Sequence, residues 1–208
     1  MNHNRLTKVQ IKKIDDYANN RLKNMITPAK ISKWKIKITN LVKNQKFDGT
    51  QNVNIFPVSE DPVSEVIVDI CRNASNVTAG LLLEDIISVI KPDIERAPNG
   101  SGYDLFRMKS LAIDCKMADM TVKKSSKPKA SDNLSEKSRA FQDCCFVEFF
   151  GKAKTENFNG VNWYTGKHAH ELLGLDESEV TYISKRILEF RKNTYAKIKL
   201  NLTTQEKH

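Results

Sequence analysis

Asp104 and Asp114 stand ten positions apart in the stretch GYDLFRMKSLAIDCKMADM, and Lys116 follows two residues after the second acid. The stretch reads as a short hairpin. In its second half Leu111, Ile113, Cys115 and Met117 alternate with Ala112, Asp114, Lys116 and Ala118, the period-two pattern of a strand. Tyr103 and Leu105 carry the apolar parity of the first strand. A three-residue loop, Met108-Lys109-Ser110, sets Asp104 opposite Asp114; a two-residue loop, Lys109-Ser110, sends them to opposite faces. In the first register the carboxylates are cross-strand neighbours about 5 Å apart. Like charges that close repel and raise a pKa unless a cation lies between them. Mg²⁺ suits the place, because it takes one or two carboxylates and leaves its other positions to water and phosphate. It polarises a phosphate and lowers the pKa of bound water. A lysine ammonium beside it is a compact charge that holds phosphate or orients water. The chemistry expected of Asp104, Asp114 and Lys116 is phosphodiester hydrolysis. The plain alternative is a hairpin with one solvated face and an ordinary Asp114–Lys116 charge pair.

The elements that must position these residues follow from periodicity. Thr7 to about Ile26 predicts a helix with Val9, Ile11, Ile14, Ala18, Leu22 and Met25 on one face. Thr27-Pro28 caps a second, in which Ile31, Trp34, Ile38, Leu41 and Val42 recur at helical spacing. KFDGTQNVNIFPVSEDP reads as a loop. Pro62 to about Asn73 predicts a third helix. Thr78 caps a fourth, AGLLLEDIISVIK, which carries Glu84 in an apolar run and is ended by Pro92. PDIERAPNGSG is a loop before the hairpin. TVKKSSKPKASDNLSEK, polar and lysine-rich, reads as a mobile loop, and LSEKSRAFQD as a short helix. CCFVEFFGK and GVNWYTG predict strands, KHAHELLGL a short helix, and Asp176 opens a last helix to about Leu200. Val180, Ile183, Ile187, Phe190, Ala196 and Ile198 form its buried side. Trp34, Trp163 and Tyr164 are read as core before base-stacking residues.

With those elements in place, SGYDL…AIDCK resembles the core motif of the PD-(D/E)XK nuclease superfamily. There an acid opens one strand and an acid-x-Lys follows on the next. The resemblance covers about 78–166 and implies an α/β (α+β) fold, a central mixed sheet flanked by helices in a restriction-endonuclease-like core. It implies that Asp104 and Asp114 are metal ligands for Mg²⁺, Lys116 the catalytic lysine and Glu84 an auxiliary acid. Gln142 in RAFQD fits the glutamine some members carry on the next helix. Tyr103 stands where the family has proline, and the second acid is Asp where Glu is commoner. A literal PD occurs at Pro92-Asp93, 21 residues before Asp114. Asp104 is preferred over Asp93 because it opens the strand, whereas Asp93 follows a helix and precedes a turn-rich loop. A chain of this size most resembles type II restriction endonucleases, which act as homodimers on palindromic double-stranded DNA. A repair or recombination nuclease shares the core.

Charge points to the same partner. The first fifty residues hold twelve basic and three acidic residues, and the remaining 158 hold 22 of each sign. The asymmetry suits a polyanion. Lys30, Lys33, Lys35 and Lys37 on the second helix, with Lys123, Lys124 and Lys127 of the lysine-rich stretch, are the candidate DNA contacts. A non-catalytic DNA-binding regulator using the basic helices of residues 7–44 is the rival reading. The 208 residues suit one domain: a basic helical region over 1–50, a catalytic core over 78–166 and a C-terminal helix over 176–200. No run of eighteen apolar residues and no signal-like N-terminus are present, so no membrane and a cytoplasmic location are expected. Cys71, Cys115, Cys144 and Cys145 lack C-x-x-C spacing and read as reduced, buried thiols.

Overall fold

The computed structural model describes residues 6–44, 62–118 and 122–204. The loop expected after Lys46 lies outside them up to Asp61. The elements are α1 (Lys8–Met25), α2 (Pro28–Asn44), α3 (Pro62–Ile90), β1 (Glu95–Arg96), β2 (Leu105–Arg107), β3 (Leu111–Ala118), α4 (Lys127–Lys137), β4 (Asp143–Phe150), β5 (Lys154–Phe158), β6 (Val161–Thr165), α5 (Lys167–Leu172) and α6 (Glu177–Thr203). A short 3₁₀ turn, Lys124–Ser126, leads into α4. The chain divides into two compact units, one of residues 1–17 with 80–185 and one of 18–79 with 186–208, and it passes between them within α1, α3 and α6.

The first unit holds a six-stranded mixed sheet in the order β1-β2-β3-β4-β6-β5. β1, β2 and β3 are antiparallel, β3–β4 and β4–β6 parallel, and β5–β6 antiparallel. A parallel neighbour needs a crossover, which α4 supplies between β3 and β4. Ala112, Cys144, Phe146, Val161 and Trp163 pack with Leu134 of α4 on one face. Trp163 is fully buried, stacks on Phe146 at 3.8 Å and donates its indole N–H to Ser131 Oγ at 2.9 Å. It is a core residue, with its one polar atom satisfied. On the other face α3 runs beside β3, where a Cβ at Gly80 would lie 3.9 Å from Met117 Cγ. Asp176 and Glu179 exchange side-chain-to-main-chain bonds of 2.9 Å at the start of α6, a capping box. Thr7 and Gln10 do the same before α1.

The second unit is helical. Val66, Ile67, Ile70, Cys71, Ile198 and Leu202 form its buried centre, with Ile31, Trp34 and Ile38 of α2 packed against them.

Four expectations are corrected. The two helices expected over Pro62–Asn73 and Thr78–Ile90 are one continuous helix of 29 residues; Thr78 does not cap but donates to Ala74 O at 2.8 Å, a bond back along the same helix. The lysine-rich stretch is ordered from Val122 on, as the 3₁₀ turn and α4. The short helix expected up to Asp143 stops at Lys137. Val9 and Ile11 are exposed on α1, and on α6 Thr194 is buried where Ala196 was expected. By length and composition α3 passes for a membrane-crossing helix, but more than half of its most apolar window is buried in the fold, as in the core helix of a soluble protein. The four cysteines are free and buried.

Candidate active site

The register of the hairpin decides whether its acids meet. Leu105 pairs with Ile113 and Arg107 with Leu111, leaving Met108, Lys109 and Ser110 as a three-residue loop. That register sets Asp104 opposite Asp114. Ser110 N donates to Arg107 O at 3.0 Å across the loop, and Met108 takes a φ of 33°. Asp104 lies just before β2, donates from its main chain to Ile113 O at 2.9 Å, and accepts from Cys115 N on Oδ2 at 2.9 Å. Its carboxylate therefore continues the ladder where the β2 backbone has left it. That bond fixes the side chain.

Lys116 lies two residues beyond Asp114 and so on the same face of β3. Its ammonium pairs with Asp114 Oδ1 and lies 3.7 Å from Asp104 Oδ2. The three residues singled out by type and spacing converge on one point. Glu84 on α3 is buried and pairs through Oε2 with Arg96 at 2.7 Å. The same guanidinium reaches Asp85 Oδ1 at 3.1 Å and donates to Leu81 O at 3.0 Å. Burial pushes the Glu84 carboxyl up to about 7, helped by the Asp104 charge and opposed by Arg96. Burial likewise raises Asp114 to about 6, with Lys116 opposing and Asp104 adding to the rise. Burial would lower Lys116, but the facing Asp114 carboxylate outweighs it and the ammonium is held above its ordinary value. Cys115, between the two, has its thiol pushed well up by burial and then by Glu84, so it stays protonated and unreactive.

Glu84, Asp85, Asp104 and Asp114 thus bring four carboxylates to this end of the sheet, and the cations seen to pair with them are Arg96 and Lys116. Among the described residues no three His, Cys, Asp or Glu side chains close around a metal position. The Asp104 and Asp114 pair meets the smaller demand of Mg²⁺, two carboxylates with water and phosphate completing the shell.

Other expected residues lie elsewhere. Asp93 pairs with Arg107 Nε at 2.8 Å, and Arg107 closes the turn end of the hairpin. Gln142 is exposed, on no helix, and donates from its main chain to Lys109 O at 3.1 Å. It sits beside the hairpin turn, about 20 Å along β3 from Lys116 at 3.3 Å per residue. Lys127 is corrected outright as a DNA contact. It is buried, with Nζ 3.3 Å from Glu148 and 3.4 Å from Glu156 and lying over the Trp163 ring. Lys30, Lys33, Lys123 and Lys124 are exposed, and Lys35 and Lys37 half-buried. Lys30 donates to Asn24 O at 2.8 Å.

Sequence reasoning missed Arg96, Asp85 and Glu148. Glu148 is fully buried, pairs in register with Lys116 across β3–β4, and accepts from Thr165 Oγ1 at 2.9 Å. A Glu-Asp pair in an apolar helix demands a cation; Arg96 is the basic residue in the loop that follows, and that demand was the available signal. Comparisons with protein-family models, characterised proteins and solved structures gave no match.

Proposed function

We propose that this chain is a Mg²⁺-dependent endonuclease acting on double-stranded DNA, a site-specific enzyme of the type II restriction kind working as a homodimer. The observation that supports it is the three-residue turn that brings Asp104 opposite Asp114, with the Lys116 ammonium against both. Asp104 and Asp114 would hold the cation. Mg²⁺ bound there would supply a Lewis acid for the scissile phosphate and a water of lowered pKa. Asp104 is kept in place by the Cys115 N–H, so the pair is preorganised before substrate arrives. Lys116, on the same face as Asp114, would hold a phosphate oxygen or orient the attacking water. Glu84, with its carboxyl near neutrality, is suited to take or return a proton beside Asp104.

The test is digestion of several long duplex DNAs by wild type with Mg²⁺, beside Asp114→Ala and an EDTA control. Discrete fragments from wild type with Mg²⁺ are expected. A smear would mean a non-specific or structure-directed nuclease, such as a repair enzyme. No cleavage, with equal gel-shift binding by both proteins, would overturn the enzyme reading. It would favour the DNA-binding regulator, to which the charge of the helical unit also lends support.

A further inference from the structure

Net charge is distributed by unit rather than by position in the chain. Among the described side chains, the helical unit holds six Lys and Arg over 18–40, Arg72, and five more over 186–204. Against these twelve stand Glu65, Asp69 and Glu189. The end of α6 therefore adds to the basic character of α2, although residues beyond position 50 cancel in total. Like charges are gathered here against their own repulsion, which calls for a polyanion outside.

One place in this unit is shaped to take an anion. A cleft of about 370 Å³ is lined by Arg72 and Ser75 of α3 and by Leu188, Arg191, Lys192 and Tyr195 of α6. It has the volume of about ten waters. Three of its six lining residues are cations. Arg72 makes a long 3.5 Å pair to Asp69 and remains largely exposed. Lys192 is exposed. Among the described residues, Arg191 Nε is buried without a hydrogen-bond partner. A buried guanidinium N–H is a strong donor, and it lies among the residues that line this cleft. A guanidinium fork matches two phosphate oxygens.

We propose that this cleft is a phosphate-binding site that grips the sugar-phosphate backbone of nucleic acid, with Arg191 as the buried donor and Arg72 and Lys192 as flanking charges. The surrounding excess of cations favours a chain of phosphates over a single free one, since the field extends well past the cleft. The inference rests on the DNA half of the functional reading and is independent of cleavage, because its test is read by binding in EDTA.

The experiment is fluorescence anisotropy of a labelled duplex DNA across a salt series in EDTA. It compares wild type, Arg72→Gln/Lys192→Gln, Arg191→Lys and a control, Lys129→Gln/Lys152→Gln, that removes equal charge at exposed positions of the other unit. The cleft double variant should bind about tenfold more weakly near 0.1 M salt. Its slope of log K against log salt should fall by about two relative to wild type. The control should change far less. Arg191→Lys keeps the charge and loses the fork, so its affinity should fall severalfold with the slope retained. An unchanged double variant, or one no weaker than the control, overturns the proposal. Arg72 and Lys192 are both exposed, so the double variant gives the answer even if Arg191→Lys fails to fold. Inorganic phosphate titrated in at constant ionic strength distinguishes the source. Displacement of the duplex only at many millimolar phosphate is expected, and displacement below about 1 mM would assign the cleft to a free phosphate instead. Cleavage measured separately with Mg²⁺ shows whether a weak binder has lost its grip, its catalytic site or both.

Discussion

The acidic end of the sheet and the basic helical unit use charge in opposite ways. At the sheet, the charges are buried or half-buried and tied to named partners: Asp104 to Cys115 N–H and Lys116, Glu84 to Arg96, Lys127 to Glu148. Burial raises the carboxyls of Glu84 and Asp114, and losing one partner of a buried pair strands the other. In the helical unit most cations lie on the surface, where each contributes a similar small increment to a shared field that salt screens. Under the proposed function, the contrast separates a place for chemistry on one bond from a surface for attraction over many.

The sharpest break of that contrast is Asp114→Ala. Under the nuclease reading, Mg²⁺-dependent cleavage should fall about 10³-fold, while duplex binding in EDTA holds or strengthens because a carboxylate facing phosphate is gone. Cleavage within tenfold of wild type would remove Asp114 from the chemistry. Next in size is a pair of lysines. Lys127→Met leaves fully buried Glu148 without its cation and should cost about 3–5 kcal/mol in urea unfolding. Lys30→Met, at an exposed position, should stay within about 0.5 kcal/mol. Similar costs for both would erase the distinction between the two kinds of charge.

Glu84 carries a pH signature. Its folded pKa, near 7, lies above its ordinary 4.5, so the folded state holds its proton more tightly than the unfolded chain does. Relative to Glu84→Gln, metal-free wild type should lose about 2–3 kcal/mol as pH rises from 4.5 to 7, about 0.4 kcal/mol more just above 7, and nothing beyond about pH 8. Parallel stability curves for the two proteins across that window would rule out the raised carboxyl. The smallest effect is local. Met108 holds a φ of 33° that glycine adopts without strain, so Met108→Gly should stabilise by about 0.5–1 kcal/mol in thermal unfolding. A loss of stability there would mean that the side chain, although 74% exposed, contributes more than its backbone costs.

The sequence made the site more legible than its surroundings. Two acids, a lysine and strict alternation in β3 named Asp104, Asp114 and Lys116, because a strand's period of two is a strong constraint. It left the register open between two loops, since Met108-Lys109-Ser110 carries no glycine to declare the turn. The interruption read between Asn73 and Thr78 was not real. Asn, Ser and Thr compete with helix hydrogen bonds in isolation, but Thr78 turns its hydroxyl back onto Ala74 O and packing carries the helix through. Lys127 misled for a related reason. Its neighbours Ser125, Ser126, Lys129 and Lys137 are surface types, and no local pattern reveals that one lysine of the run meets Glu148, 21 positions away. Arg96 pairs back to the helix just before it and Glu148 to elements farther off along the chain, and periodicity within a segment records neither.

The hairpin turn has one more implication. Exposed loop tips usually tolerate insertions and deletions, because length added there disturbs little else. Here the loop of Met108, Lys109 and Ser110 acts as a counter. Removing or adding one residue changes the parity on which Asp104 faces Asp114, leaving both acids in the chain and neither in reach of the other. Substitutions at this tip should be nearly free, and single-residue indels should be as damaging as loss of the aspartates themselves.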